Sequence, residues 1–174
     1  MSMRKLIAAG ALLAACSAAS AQSPNLGKPI SPEDLASWDI SIGPDGAGLP
    51  PGSGTAKQGE DVFNTKCQAC HGAKGGGQPN DRLTGGQGTL AGDKPAVKTV
   101  GSYWPYATTL FDYVRRAMPY IESKSLSNDE VYAVAAYILN LNGIIGDTEV
   151  INAQTLPKVK MPNRDGFIPF HRGE

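Results

Sequence analysis

Several common structural devices are scarce in this chain. Three cysteines in 174 residues are too few for a disulfide-built scaffold. Sixteen basic side chains are matched by sixteen acidic ones, so the chain lacks the positive surplus of a nucleic-acid-binding face. No apolar run reaches the ~18–20 residues needed to cross a bilayer. No alternating pattern is long enough to build a sheet, and no internal repeat is present. Histidine occurs only as His71 and His171. Glycine and proline, by contrast, number 21 and 13 and point to long loops and tails. The length fits one domain, and an apolar content of 41% supports one modest core.

The N-terminus reads as an address. Arg4 and Lys5 precede the apolar run Leu6 to Ala15, and small residues follow, which is the pattern of a secretory signal. Ala19-Ser20-Ala21 fits the A-x-A cleavage rule and releases a chain beginning at Gln22. Leu13-Ala14-Ala15-Cys16 also resembles a bacterial lipobox, which makes Cys16 a lipidated N-terminus. Either reading predicts a mature chain outside the cytoplasm, in the periplasm.

Residues 22–54 form a Pro/Gly-rich arm. Ser31-Pro32 can start one short helix there, with serine as N-cap and proline in the first turn. Trp38 and Ile40 are positioned to pin the arm to a core. Thr55 to Cys67 reads as a helix with Gly59, Phe63 and Cys67 on one face. Glycine inside a helix costs about 1 kcal/mol against alanine, so Gly59 signals a close approach. Residues 72–101 hold nine glycines and read as a long irregular loop of the kind a large ligand can order. Pro105 to Ala117 is a second helix, stopped by Pro119. Ser127 to Glu130 is a capping box that opens a third helix running to Leu141, with Asn142-Gly143 as its stop. Residues 55–145 are then the domain, and 146–174 an extension expected to lie over it.

Cys67-Gln68-Ala69-Cys70-His71 is a C-x-x-C-H motif. A redox C-x-x-C belongs to an alternating strand–helix fold, and no such pattern is present. A zinc site needs two further ligands, and the remaining candidates are Cys16 in the signal and His171 near the end. Covalent haem c fits best. Two thiols three residues apart can bond the two vinyl groups of one porphyrin, and His71 then meets the iron. Met118, before Pro119, and Met161, before Pro162, are the methionines that follow the motif. A methionine opposite the histidine makes a closed electron carrier with a raised potential. Met118 precedes the last helix and is the favoured sixth ligand; Met161 lies in the tail, and His171 or an open position are further choices.

With these residues in view, Gly59-x-x-x-Phe63-x-x-x-Cys67-x-x-Cys70-His71, the glycine-rich loop, Met118-Pro119 and the capped helix resemble a class I cytochrome c. The resemblance implies an all-α fold of three to five helices around one covalent haem. It implies Gly59 and Phe63 crossing Tyr137. Gln78-Pro79-Asn80-Asp81-Arg82-Leu83-Thr84-Gly85 is similar to the family's proline segment, which implies that the Pro79 carbonyl accepts from the His71 Nδ1–H. Trp104 is implied as a hydrogen-bond donor to a haem propionate, or as packing.

A narrower resemblance covers nearly the whole mature chain. Trp38-Asp39-Ile40, the stretch from Pro44 to Thr55, Gly101 to Leu110 and Met161 to Phe167 are similar to the cytochrome subunit of the sulfane (sulfur or sulfite) dehydrogenase of bacterial sulfur oxidation. It implies a subunit that is not an enzyme by itself. Such a subunit takes single electrons from a molybdenum-cofactor subunit and hands them to a downstream cytochrome or oxidase of the respiratory chain. Long members of that family carry two haem domains; the single C-x-x-C-H makes this a short form. A freely diffusing carrier to a terminal oxidase and a haem enzyme acting on a sulfur compound are the alternatives.

Overall fold

The computed structural model describes residues 26–93 and 95–168; the segment read as a signal, Cys16 and His171 lie outside them. The chain divides into two compact units, one ending at Asp39 and the other beginning at Ile40. The first contains helix α1 (Pro32–Trp38), which opens on proline and is capped by Ser31, whose hydroxyl accepts the Asp34 N–H at 3.1 Å. None of its residues is buried, and Trp38 is 78% exposed. Leu35 and Trp38 are the large apolar groups of this helix of fewer than two turns.

The second unit holds α2 (Ala56–Lys66), the single turn α3 (Gln68–His71), α4 (Ala107–Ala117) and α5 (Asn128–Leu141). Two short strands, β1 (Ser53–Gly54) and β2 (Ile151–Asn152), pair antiparallel, Ser53 opposite Asn152 and Gly54 opposite Ile151. The architecture is all-α apart from that ladder.

Local chemistry sets the helix ends. A capping box opens α5, where Ser127 accepts the Glu130 N–H and Glu130 accepts the Ser127 N–H. Thr55 and Gln58 make the same reciprocal pair at the start of α2. Helix α4 starts at Ala107, two residues after the predicted Pro105, because Tyr106 is extended at φ −135°. It ends at Met118, which is extended because Pro119 follows and a residue before proline is disfavoured in the α region.

Helix α5 is the centre of the unit. Every residue from Val131 to Leu139 is buried, so this helix is enclosed all round rather than on one stripe. α2, α4, β1 and β2 all pack on it. At the α2 crossing, a Cβ on Gly59 would collide with the Ala133 carbonyl oxygen and stand 2.8 Å from Tyr137 Cβ. The Phe63 and Tyr137 rings lie 5.4 Å apart beside it. At the α4 crossing, the Phe111 and Tyr132 rings are 4.3 Å apart, and the Tyr132 hydroxyl donates to the Pro50 carbonyl at 2.8 Å. The C-terminal extension buries Ile151, Leu156 and Met161 in the same core.

Two outcomes follow from these contacts. Gly59→Ala forces a methyl against backbone that cannot swing aside, so a loss of about 3 kcal/mol is expected, at the upper end of overpacking costs; calorimetry of the variant checks it. The bond from the Ser127 N–H holds the Glu130 carboxyl below its ordinary range; burial opposes that and Lys66, at 3.4 Å, assists. A carboxyl lowered on folding contributes stability above its unfolded pKa, and the contribution disappears as pH falls through the folded value. The melting-temperature gap between wild type and Glu130→Ala is therefore expected to be wide at pH 7 and to close below the usual carboxylate range.

Candidate functional site

The C-x-x-C-H segment is placed by the end of α2. Phe63 is fully buried, and its carbonyl accepts the Cys67 N–H at 2.9 Å. Cys67 thus closes α2 and opens α3. Within that turn the Cys70 and His71 N–H groups both reach the Cys67 carbonyl, at 3.1 and 3.0 Å. Gly72, at φ +72°, then reverses the chain; a Cβ there would strike the Gly77 carbonyl oxygen. The returning loop is tied back to the turn: the Gly77 N–H donates to the His71 carbonyl and the Asn80 N–H to the Cys70 carbonyl, each at 2.8 Å.

His71 Nδ1 lies 2.8 Å from the Asp81 carbonyl oxygen. A carbonyl can only accept, so Nδ1 carries a proton, and Nε2 is the ring nitrogen left for a ligand bond. The expected acceptor, Pro79, is corrected. The ties at Gly77 and Asn80 close a tight turn around Gln78 and Pro79, and the next carbonyl to reach the ring is that of Asp81. Sequence reasoning missed Asp81 because a main-chain acceptor works through no particular side chain.

The two thiols are free, Cys67 half-buried and Cys70 exposed. Burial pushes the Cys67 thiol up to about 11; the neighbouring Cys70 adds to this and Lys66 opposes it. A dithiol oxidoreductase needs the opposite shift, toward thiolate. Among the described residues, no group of three His, Cys, Asp or Glu side chains is arranged to hold a metal ion.

The two methionines are placed differently. Met161 is 3% exposed, inside the core. Met118, turned out of α4 by Pro119, is half-buried. With Cys67, Leu83 and Trp104 it belongs to a set of half-buried apolar groups resting on the core. Trp104 meets Tyr113 edge-on with ring centroids 5.7 Å apart. The extension holds the preceding residue: Asn163 Nδ2 donates to the Tyr103 carbonyl at 2.7 Å, and Phe167 stacks edge-on against the Tyr103 ring. The glycine-rich loop carries its own polar bracing. Thr99 donates to the Gly85 carbonyl at 2.5 Å and Ser102 to the Val97 carbonyl at 2.6 Å.

Two free thiols and an imidazole on one short turn are a donor set that fits a covalently attached haem. The comparisons with known proteins agree. A family model for subunit III of the cbb3-type cytochrome c oxidase matches residues 54–138, from β1 through most of α5. The crystal structure of the sulfane dehydrogenase SoxCD from Paracoccus pantotrophus contains a chain 41% identical to this one. That match has a TM-score of 0.81 and covers 86% of this chain and 73% of the other. The chain belongs to the cytochromes c related to sulfur-compound dehydrogenases.

A thiosulfate dehydrogenase from Psychrobacter arcticus is 32% identical to this cytochrome over 106 residues, 59% of this chain and 32% of that protein. The match thus spans about a third of the length of that curated relative. As a class I cytochrome c fold, the chain is built to carry covalent haem c. The described residues contain no helix long and apolar enough to cross a membrane.

Proposed function

We propose that this cytochrome is a periplasmic, mono-haem electron-transfer subunit that accepts single electrons from a molybdenum-containing sulfane or sulfite dehydrogenase subunit. The observation that carries the reading is the 41% identity over 86% of the chain to a protein solved within a sulfane dehydrogenase. Export rests on the signal pattern of residues 1–21, and a single haem on the one C-x-x-C-H.

Cys67 and Cys70 would hold the haem through thioether bonds, and His71 Nε2 and Met118 would ligate its iron. The group supplies a one-electron ferric–ferrous couple when bound. The chain's own residues set its conditions. The Asp81 carbonyl accepts from the His71 Nδ1–H and so orients the ring. A thioether is soft and neutral and favours the ferrous side. Ligation by both residues would suit a carrier, because it would leave the iron without a place for substrate.

The unburied α1, with Trp38, Leu35, Ile30 and Leu26 exposed, favours a stable complex over a diffusing carrier, because a minimal carrier needs no apolar arm. The thiosulfate dehydrogenase relative favours a second reading, a haem enzyme acting on a sulfur compound. Carbon monoxide separates the two: ready binding to the ferrous protein at neutral pH supports the enzyme.

Met118→Ala is expected to abolish the weak long-wavelength band of a ferric iron–sulfur bond. Met161→Ala is expected to keep that band and to lose about 2–5 kcal/mol of stability, as for a truncated core side chain. The reverse pattern transfers the ligand to Met161. For the partner, tagged protein is purified under gentle, low-salt conditions from periplasm of cells grown on a reduced sulfur compound, and assayed for molybdenum. Stoichiometric molybdenum with a second polypeptide is expected; haem protein free of molybdenum would favour a diffusing carrier.

A further inference from the structure

We infer that Asn142 is a positioning residue for His71, acting through the loop of residues 81–87. The inference rests on the reading of His71 as the iron ligand. Asn142 is the residue after α5, half-buried, and its amide is fully engaged. Nδ2 donates to the Leu83 carbonyl at 3.2 Å and to the Ile138 carbonyl at 2.8 Å. Oδ1 accepts the Gly85 N–H at 3.0 Å and Gln87 Nε2 at 3.4 Å. Both donors and both acceptor positions are used, and the partners allow only one orientation of the amide. The group also sits against bare backbone, since a Cβ on Gly101 would collide with Asn142 Oδ1.

The loop that Asn142 grips carries the Asp81 carbonyl. Asp81 is bracketed on both sides. Before it, the Asn80 N–H is bonded to the Cys70 carbonyl; after it, the Leu83 N–H is bonded to the Gly75 carbonyl, both at 2.8 Å. Those two ties lead back only to the 70–75 segment, which moves with His71. The bonds to Leu83 and Gly85 from Asn142 anchor the loop to the fully packed central helix, across 59 and 57 residues of chain. Thr99 adds a single further bond, at the Gly85 carbonyl, from a residue outside α5. The direction of the His71 Nδ1–H bond is thereby referred to α5. Loosening the loop weakens that bond, makes the imidazole a poorer electron donor to the iron and so disfavours the ferric state.

The test uses holoprotein and two readouts: the midpoint potential, and solvent exchange of the His71 Nδ1 proton by NMR in the ferrous state. Asn142→Ala is expected to raise the potential and speed the exchange. Thr99→Val keeps the side-chain shape and is expected to shift both in the same direction by less. Asn140→Ala is the control for mere loss of stability. Its side chain bonds the Ile145 carbonyl and Asp147 at the same end of α5, so it should lower the melting temperature with neither shift. Unchanged potential and exchange in Asn142→Ala, or equal shifts in Asn140→Ala, would overturn the inference. If Asn142→Ala does not accumulate, Thr99→Val decides, and its failure to move either readout counts against the proposal. His71→Ala tests the underlying reading separately, because a holoprotein with the wild-type haem spectrum in that variant removes His71 as the ligand.

Discussion

The crossing of α2 over α5 at Gly59 is the constraint from which the site follows. The missing side chain lets the α2 backbone rest on the Ala133 carbonyl. That approach brings Phe63 beside Tyr137 and buries it completely. The carbonyl of the buried Phe63 takes the Cys67 N–H, so the end of the helix, the first thiol and the turn carrying Cys70 and His71 are all located by one close contact. A larger residue at 59 would displace the helix and every group that hangs from its end. Tight interiors transmit such displacements because they contain little free volume to absorb them.

The glycine-rich region illustrates a different source of order. It has almost no apolar core of its own, yet among the described residues no buried side-chain nitrogen or oxygen lacks a hydrogen-bond partner. Thr99, Ser102 and Asn142 supply the bonds that regular secondary structure would otherwise provide. Helix α5 therefore has two tasks. Its sides form the apolar centre of the unit, and its C-terminal end holds the loop that faces the histidine. Met118, Leu83 and Trp104 rest on that core half-buried.

Much of this was legible because it is written locally. The spacing of Gly59, Phe63 and Cys67 predicts a shared helix face, and Ser127 with Glu130 predicts the α5 start, because capping bonds join residues three apart. The equivalent pair Thr55 and Gln58 makes the same capping bonds at α2. The late start of α4 came from the extended backbone of Tyr106, a local detail that proline in the preceding position obscured.

The sequence by itself determined the chemistry and the helices: two thiols and an imidazole on one turn, methionines that precede proline, and helix ends marked by caps and breakers. Each of these depends on interactions within three or four residues. The tertiary structure alone decided that Met161 is sealed in the core while Met118 stays half-buried, that the histidine meets the Asp81 carbonyl rather than that of Pro79, and that Asn142 grips the loop in between. Those outcomes depend on groups far apart in the chain and on main-chain atoms common to every residue. Only the way the helices pack says which of them meet.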